Sequence, residues 1–203
     1  MGESELSEGL RKAAFLDRDG VLNELIPDPV SGAPESPLRR QDVALIPGAA
    51  DAAARLRSVG YALVVVSNQP AAAKGSVSLE QLKDVHARVL ELMAAAGAPI
   101  EDSRLCFHHP LGVVPELTGP CGCRKPEPGM LLDLARKLDL DLAASWMIGD
   151  ADTDVAAGKA AGCRTVLIEH APSAHKRSEE AAPDLTADDL PDASERLRVL
   201  ELG

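Results

Sequence analysis

The sequence predicts an α/β fold: a doubly wound, Rossmann-like parallel sheet with helices on both faces. Three observations carry this. Short runs rich in Val, Ile and Leu alternate with amphipathic stretches of helical period, the pattern of βαβ units. The run Tyr61-Ala62-Leu63-Val64-Val65-Val66 is apolar throughout, as expected of a strand covered on both faces of a parallel sheet. Polar and acidic residues stand directly after several of these runs, at strand carboxyl ends, where open α/β sheets bind ligands.

Taken in order, Lys12 to Leu16 reads as the first strand, and residues 1–11 before it as a flexible N-terminus. Asn23 to Pro47 holds Pro27, Pro29, Pro34 and Pro37 and reads as loop. Pro47-Gly48 opens an Ala-rich helix that runs to about Ser58 and stops at Gly60. Ser78-Leu79-Glu80-Gln81 is a capping box and starts a long helix reaching Ala96. Arg104 to Phe107 reads as a strand, Glu127 to Leu138 as a helix, and Ser145 to Ile148 as a strand. Asp152 to Ala161 is a helix whose acidic first turn suits the helix dipole. Arg164 to Ile168 is a β-branched strand. Ala171 to Leu185 is polar and reads as mobile, and a short helix follows from Asp192 to Leu200. No internal repeat occurs. No insertion is long enough for a separate lid, so residues 12–203 read as one capless domain.

Composition narrows the class. Aromatics are only 2% of the 203 residues, so the core is built from Ala, Val, Leu and Ile. Lys plus Arg total 21 against 32 Asp plus Glu, a formal charge of -11. Nucleic-acid binding requires clustered positive charge, so that class of partner is not expected. No apolar run has the length of a membrane span, and the polar, acidic start lacks the apolar stretch of a signal peptide. The chain reads as soluble and cytoplasmic, with neither membrane nor nucleic-acid partners. Its four cysteines, Cys106, Cys121, Cys123 and Cys163, are accordingly not expected to form disulfides.

Four stations carry chemistry. The first is Phe15-Leu16-Asp17-Arg18-Asp19-Gly20. Residues i and i+2 of a strand project to one side, so Asp17 and Asp19 point together. An aspartate can act as a covalent nucleophile, and a second carboxylate can give and take a proton beside it. The second station is Ser67-Asn68-Gln69, directly after the strongest strand. Its hydroxyl and backbone N–H groups suit a phosphoryl oxygen, and equally an ordinary turn. In the third, Arg124-Lys125-Pro126, Lys125 can neutralise a phosphate and orient a nucleophile, while Arg124 can grip a second anionic group. In the fourth, Gly149-Asp150-Ala151-Asp152-Thr153-Asp154, Asp150 suits Mg²⁺ and Asp154, one helical turn on, supports it. Asp152 reads as a helix cap. Taken singly, each station also has a plain structural reading.

A fifth cluster pairs Cys106-Phe107-His108-His109-Pro110 with Cys121-Gly122-Cys123. Three thiolates and one imidazole make a closed set for structural zinc. His109 competes with His108 for the fourth place. Cys163 stands apart and reads as a core residue.

Together, Asp17-Arg18-Asp19-Gly20, Ser67, Lys125 and Gly149-Asp150 with Asp154 resemble the haloacid dehalogenase superfamily of phosphohydrolases, over residues 12 to 170. The stretch C-x-H-H-P…C-x-C-R-K-P-x-P-G-M is similar to the D-glycero-D-manno-heptose-1,7-bisphosphate 7-phosphatase group, whose relatives include histidinol-phosphate phosphatases. The resemblance implies a Mg²⁺-dependent phosphatase acting through an aspartyl-phosphate on a small phosphorylated sugar. Asp17 is then the nucleophile and Asp19 the general acid and base. Ser67 and Lys125 form the phosphoryl cradle, and Asp17, the Asp19 carbonyl and Asp150 hold Mg²⁺. Asn23, Ser67, Asn68, Arg124 and Lys125 would contact substrate, and Cys106, His108, Cys121 and Cys123 would hold zinc. A monomer is expected. The intact carboxylates at 17, 19 and 150 argue against the rival reading, a non-catalytic zinc-stabilised module that binds phospholigands.

Overall fold

In a computed structural model, which describes residues 9–28, 32–178 and 181–202, the apolar runs form the middle layer. Strand β1 (Ala13–Leu16) is buried at every position. It is followed by a small hairpin, β2 (Ile26–Pro27) and β3 (Pro34–Glu35), then α1 (Ala49–Ser58), β4 (Ala62–Asn68), α2 (Leu79–Ala95) and β5 (Asp102–Cys106). The second half comprises α3 (Gly129–Leu138), β6 (Trp146–Gly149), α4 (Asp152–Ala161), β7 (Arg164–Ile168), β8 (Leu185–Ala187) and α5 (Leu190–Leu202). The main sheet has the order β5-β4-β1-β6-β7-β8, and every pair in it is parallel.

The alternation of side chains along each strand separates two cores. Ala14, Leu16, Leu63 and Val65 face α1, α2 and α5 through Leu56, Val89 and Leu197. Ala13, Phe15, Val64 and Val66 face α3 and α4 through Met130, Leu134 and Ala157. The small Ala side chains let the helices sit close. At Gly158, an added Cβ would lie 2.6 Å from the Met147 side chain. β1 is central, and the chain winds outward from it first through β4 and β5, then through β6, β7 and β8. Its carboxyl end is therefore the switch point of the sheet, the crevice that such folds use for ligands.

Most expected elements form within two residues of their expected bounds, and the capping box is complete: Ser78 Oγ accepts from Gln81 N at 3.1 Å while Gln81 Oε1 accepts from Ser78 N. Four expectations need correction. Arg11 is not part of a flexible terminus, since its N–H donates to Asp139 O at 3.0 Å and its carbonyl accepts from Asp141 N at 2.9 Å; residues 1–8 lie outside the described residues. The expected loop from Asn23 to Pro47 contains the β2–β3 hairpin and a 3-10 turn, Arg40–Asp42. The strand expected from Arg104 to Phe107 runs instead from Asp102 to Cys106; charge is tolerated on this edge strand, where Arg104 pairs with Asp102 at 3.3 Å and with Asp133. The segment expected to be mobile, Ala171 to Leu185, starts with a 3-10 turn over Ala171–Lys176 and ends at the sixth strand. Residues 179 and 180 within it lie outside the described residues.

No helix among the described residues is long and apolar enough to cross a membrane. Leu134, fully buried in the α3 core, tests the packing. Leu134→Ala should cost about 2–5 kcal/mol in urea unfolding, the range for a core leucine left as a cavity.

Candidate active site

The carboxyl ends of β1, β4 and β6 open onto one cavity of about 300 Å³, lined by residues from all four stations. At its floor is Asp17, one residue past β1, whose backbone N–H donates to Ile148 O at 2.9 Å and so prolongs the β1–β6 ladder. Its Oδ1 accepts from Lys125 Nζ at 2.9 Å. That ammonium also lies 2.5 Å from Asp154 Oδ1 and donates to Val66 O at 2.8 Å. Burial pulls the Lys125 pKa down, but the carboxylates of Asp154 and Asp17 outweigh it and raise it on balance. Lys125 is a fixed cation.

Asp154 has both oxygens engaged. Oδ2 accepts from Ala151 N at 3.0 Å and caps α4, while Oδ1 faces Lys125. Burial, and then the like charges of Asp17 and Asp150, push its pKa up against the pull of Lys125. Asp152, read as the cap, instead accepts from Ser178 N at 2.6 Å; the residue two places on performs the capping.

Asp150 is completely buried. Its Oδ2 accepts from Ser173 Oγ and, at 3.0 Å, from Lys176 Nζ. Burial and then the charge of Asp17 raise its pKa, against the opposing effects of Lys176 and Ser173. The approach to Asp150 needs glycine on the facing turn. Gly20 has φ +91, and a Cβ there would stand 2.1 Å from Asp150 Oδ2.

Asp19 sits in a cage that the sequence reading did not anticipate. Arg18, fully buried, donates to it through Nε at 3.1 Å and Nη2 at 2.9 Å. Arg18 Nη2 also donates to Gln69 Oε1 at 2.7 Å, and Gln69 Nε2 donates to Asp19 Oδ2 at 2.6 Å and to Ser67 Oγ at 3.1 Å. Burial alone would raise the Asp19 pKa, but Arg18, Asn23 and Gln69 lower it on balance. The only prior signals were the positions of Arg18 between two aspartates and of Gln69 two residues beyond Ser67.

Two residues expected at the substrate are held by protein neighbours. Asn23 is fully buried, and its Nδ2 donates to Asp19 Oδ1 at 2.9 Å and Glu24 O at 3.0 Å. It therefore orients Asp19. Asn68 lines the cavity, but Nδ2 donates to Lys125 O and Oδ1 accepts from Lys125 N, both at 3.0 Å. It holds the backbone of Lys125. Arg124 lines the cavity as expected, its Nη1 donating to His108 O at 3.2 Å. Glu35 and Ser36, from the unforeseen hairpin, complete the rim.

Two donor clusters suit metals. One ligand oxygen from each of Asp17, Asp150 and Asp154 lies within 4.8 Å of the others, a hard, all-oxygen set appropriate to Mg²⁺. Cys106, His108, Cys121 and Cys123 also converge. Their Sγ atoms are 3.2 to 3.7 Å apart, and His108 Nδ1 is 3.4 Å from Cys123 Sγ. Tetrahedral zinc with its usual bonds separates sulfur ligands by about 3.8 Å, so the cluster fits. His109 stays outside it, its Nδ1 accepting from Leu111 N at 3.1 Å.

A family model described as HAD-hydrolase-like matches residues 122–193. A D-glycero-beta-D-manno-heptose-1,7-bisphosphate 7-phosphatase of Rhodopseudomonas palustris is 40% identical over 75% of this chain and 80% of its own length. The chain belongs to this family of HAD-like phosphatases. The enzyme of the same name from Yersinia pestis is 34% identical over 92% of the chain and 95% of its own length. A crystal structure of D,D-heptose 1,7-bisphosphate phosphatase from B. bronchiseptica, complexed with magnesium and phosphate, superposes with a TM-score of 0.77 at 28% identity, covering 95% of this chain and 99% of that one.

The Asp19 cage yields a test with a definite sign. Arg18→Met leaves a buried carboxylate without its partner and should cost about 3–5 kcal/mol at neutral pH. Asp19's folded pKa lies below its ordinary 3.8, so its stabilisation is present above 3.8 and lost as pH falls through the lower folded value. The stability gap between wild type and variant, measured by urea unfolding, should therefore shrink below about pH 4.

Proposed function

We infer that this chain removes the 7-phosphate of D-glycero-D-manno-heptose 1,7-bisphosphate, through an aspartyl-phosphate on Asp17. The observation that carries this reading is Asp17 itself, on the cavity floor with one oxygen held by Lys125 at 2.9 Å. The names of the relatives supply the substrate, and a cavity of this size suits a small phosphosugar.

Lys125 fixes the direction of the Asp17 carboxylate through its hydrogen bond to Oδ1. The carboxylate attacks phosphorus in line, an Asp17 O–P bond forms, and the bond from phosphorus to the sugar oxygen breaks. Asp19 protonates that leaving oxygen. Its cage favours the ionised form, so proton uptake belongs to the bound state, when a phosphate dianion adds negative charge beside it. In the second half, Asp19 takes a proton from water. The water oxygen bonds to phosphorus, the Asp17 O–P bond breaks, and inorganic phosphate leaves. Ser67 Oγ and the Lys125 ammonium serve as donors to the phosphoryl oxygens. Asp17, the Asp19 carbonyl and Asp150 would hold Mg²⁺, which would supply charge neutralisation at the phosphoryl group. Asp154 supports Lys125. Arg124 faces the distal, 1-phosphate end of the substrate. Zinc at Cys106, His108, Cys121 and Cys123 is structural, and the enzyme acts as a monomer in the cytoplasm.

Asp17→Asn should lower phosphate release by at least about 10³-fold while leaving the circular-dichroism spectrum and melting temperature near wild type; retention of full turnover would remove the mechanism. Substrate identity is tested by kcat/KM for both anomers of heptose 1,7-bisphosphate against histidinol phosphate and fructose 1,6-bisphosphate. A heptose preference of about 100-fold, or about 2.7 kcal/mol of differential transition-state binding, is expected; equal activity on all four would exclude it. Metal analysis of protein purified without chelator should give one zinc per chain. Cys123→Ser should lose that zinc and melt at a lower temperature, because metal binding at such a site is also folding energy.

A further inference from the structure

Lys176 has no part in any of the sequence stations, yet its ammonium faces the reaction cavity. The 3-10 turn that carries it is anchored at both sides. Ser173 is fully buried and donates to Asp150 Oδ2. Arg177 Nη1 donates to the carbonyls of His170 at 2.9 Å and Ile168 at 3.3 Å, at the end of β7, and of Asp150 at 3.4 Å. On this anchored turn Lys176 Nζ lies 3.0 Å from Asp150 Oδ2 and 3.4 Å from Oδ1. Asp150 has no exposed surface, whereas the Lys176 side chain is 28% exposed. The carboxylate cannot leave, and the lysine can.

An ammonium facing both oxygens of Asp150 uses the side of the carboxylate that a divalent cation would need. Two cations that close, in a site shielded from water, repel strongly. Asp154, the third carboxylate nearby, is already drawn to Ala151 N through Oδ2 and to Lys125 through Oδ1, which leaves Asp150 as the main carboxylate for which a metal and Lys176 compete. We propose that Lys176 is the counter-cation of Asp150 in the metal-free enzyme, that Mg²⁺ displaces it, and that the displaced ammonium then contacts the bound phosphate. The anchors at Ser173 and Arg177 keep the freed side chain within reach of the cavity, where it joins Arg124 and Lys125. This proposal rests on the metal-dependent phosphatase reading above.

Isothermal titration of chelator-treated, zinc-retaining protein with Mg²⁺ alone tests it. Lys176→Gln should bind Mg²⁺ roughly three- to tenfold more tightly than wild type, the scale of one partly exposed ion pair, and Lys176→Arg should bind it no more tightly than wild type. With Mg²⁺ saturating, Lys176→Gln should bind inorganic phosphate roughly three- to tenfold more weakly. Melting provides a check that needs no binding isotherm: Lys176→Gln should melt below wild type in chelator and gain more than wild type when Mg²⁺ is added. A purely structural lysine would lower both melting temperatures equally. Unchanged or weaker Mg²⁺ binding by Lys176→Gln overturns the competition, and unchanged phosphate affinity overturns the second position. Asp150→Asn separates the two levels. If it binds Mg²⁺ like wild type, the metal site itself is wrong. If it does not bind while Lys176→Gln behaves as wild type, only the role of Lys176 fails.

Discussion

The buried charge at the carboxyl end of β1 is the constraint on which the rest of the site depends. Asp17, Asp19, Asp150 and Asp154 are all nine-tenths or more buried, and Arg18 and Lys125 lie with them. Unpaired, such charges would each cost several kcal/mol. The structure instead pairs each one: Arg18 with Asp19, Lys125 with Asp17 and Asp154, Lys176 with Asp150. Four carboxylates against three cations leave one net negative charge. A divalent cation reverses that sign, and a phosphate dianion restores it. A charge balance near zero, alternating in sign as ligands arrive, would let a buried site accept both a metal and a phosphate.

The sheet topology makes this arrangement possible. Opposite winding from β1 leaves a crevice beside its carboxyl end, into which the turns after β1, β4 and β6 all project. Asp17 is held by the β6 ladder, Lys125 by the β4 carbonyl of Val66 and by Asn68, and Asp154 by its own helix start. None of these anchors is a flexible surface loop. A site whose chemistry requires tenths of an ångström is built from the ends of the most buried elements, in keeping with the need to fix reacting groups before substrate arrives.

The sheet was largely legible in the sequence because its strands are buried on both faces and so read as continuous apolar runs. The same holds for the convergence of Asp17 with Asp150 and of the Cys and His residues, whose spacing is local: each lies within a few residues of a strand end or of another member of its cluster. What the sequence did not disclose depends on contacts across long separations. Gln69 reaches Arg18 across 51 positions, and Lys176 reaches Asp150 across 26. Asn23 and Asn68 were placed in the site, but whether an amide points at substrate or at a neighbouring backbone is decided only by three-dimensional packing. The short strand β8 and the turn before it were missed because they are polar and bury few positions, leaving no periodicity to detect.

The Cys/His cluster connects most directly to the chemistry through the chain itself. Cys123 stands two residues before Lys125 and next to Arg124. The Gly129 N–H donates to Gly122 O at 3.0 Å, and Gly129 has no room for a side chain, since a Cβ would stand 2.1 Å from that same oxygen. The segment from Cys121 to Gly129 is thus closed at both ends, by the ligand cluster and by the start of α3. Arg124 leans on the His108 carbonyl from within the same unit. A loop of this length would otherwise be free to sample many backbone states, each fixed residue costing about 1–2 kcal/mol of conformational entropy. Zinc at the proposed site would cross-link its two ligand pairs and remove much of that freedom. Bound metal would thereby fix where the cationic wall of the cavity stands, although none of Cys106, His108, Cys121 and Cys123 lines the cavity.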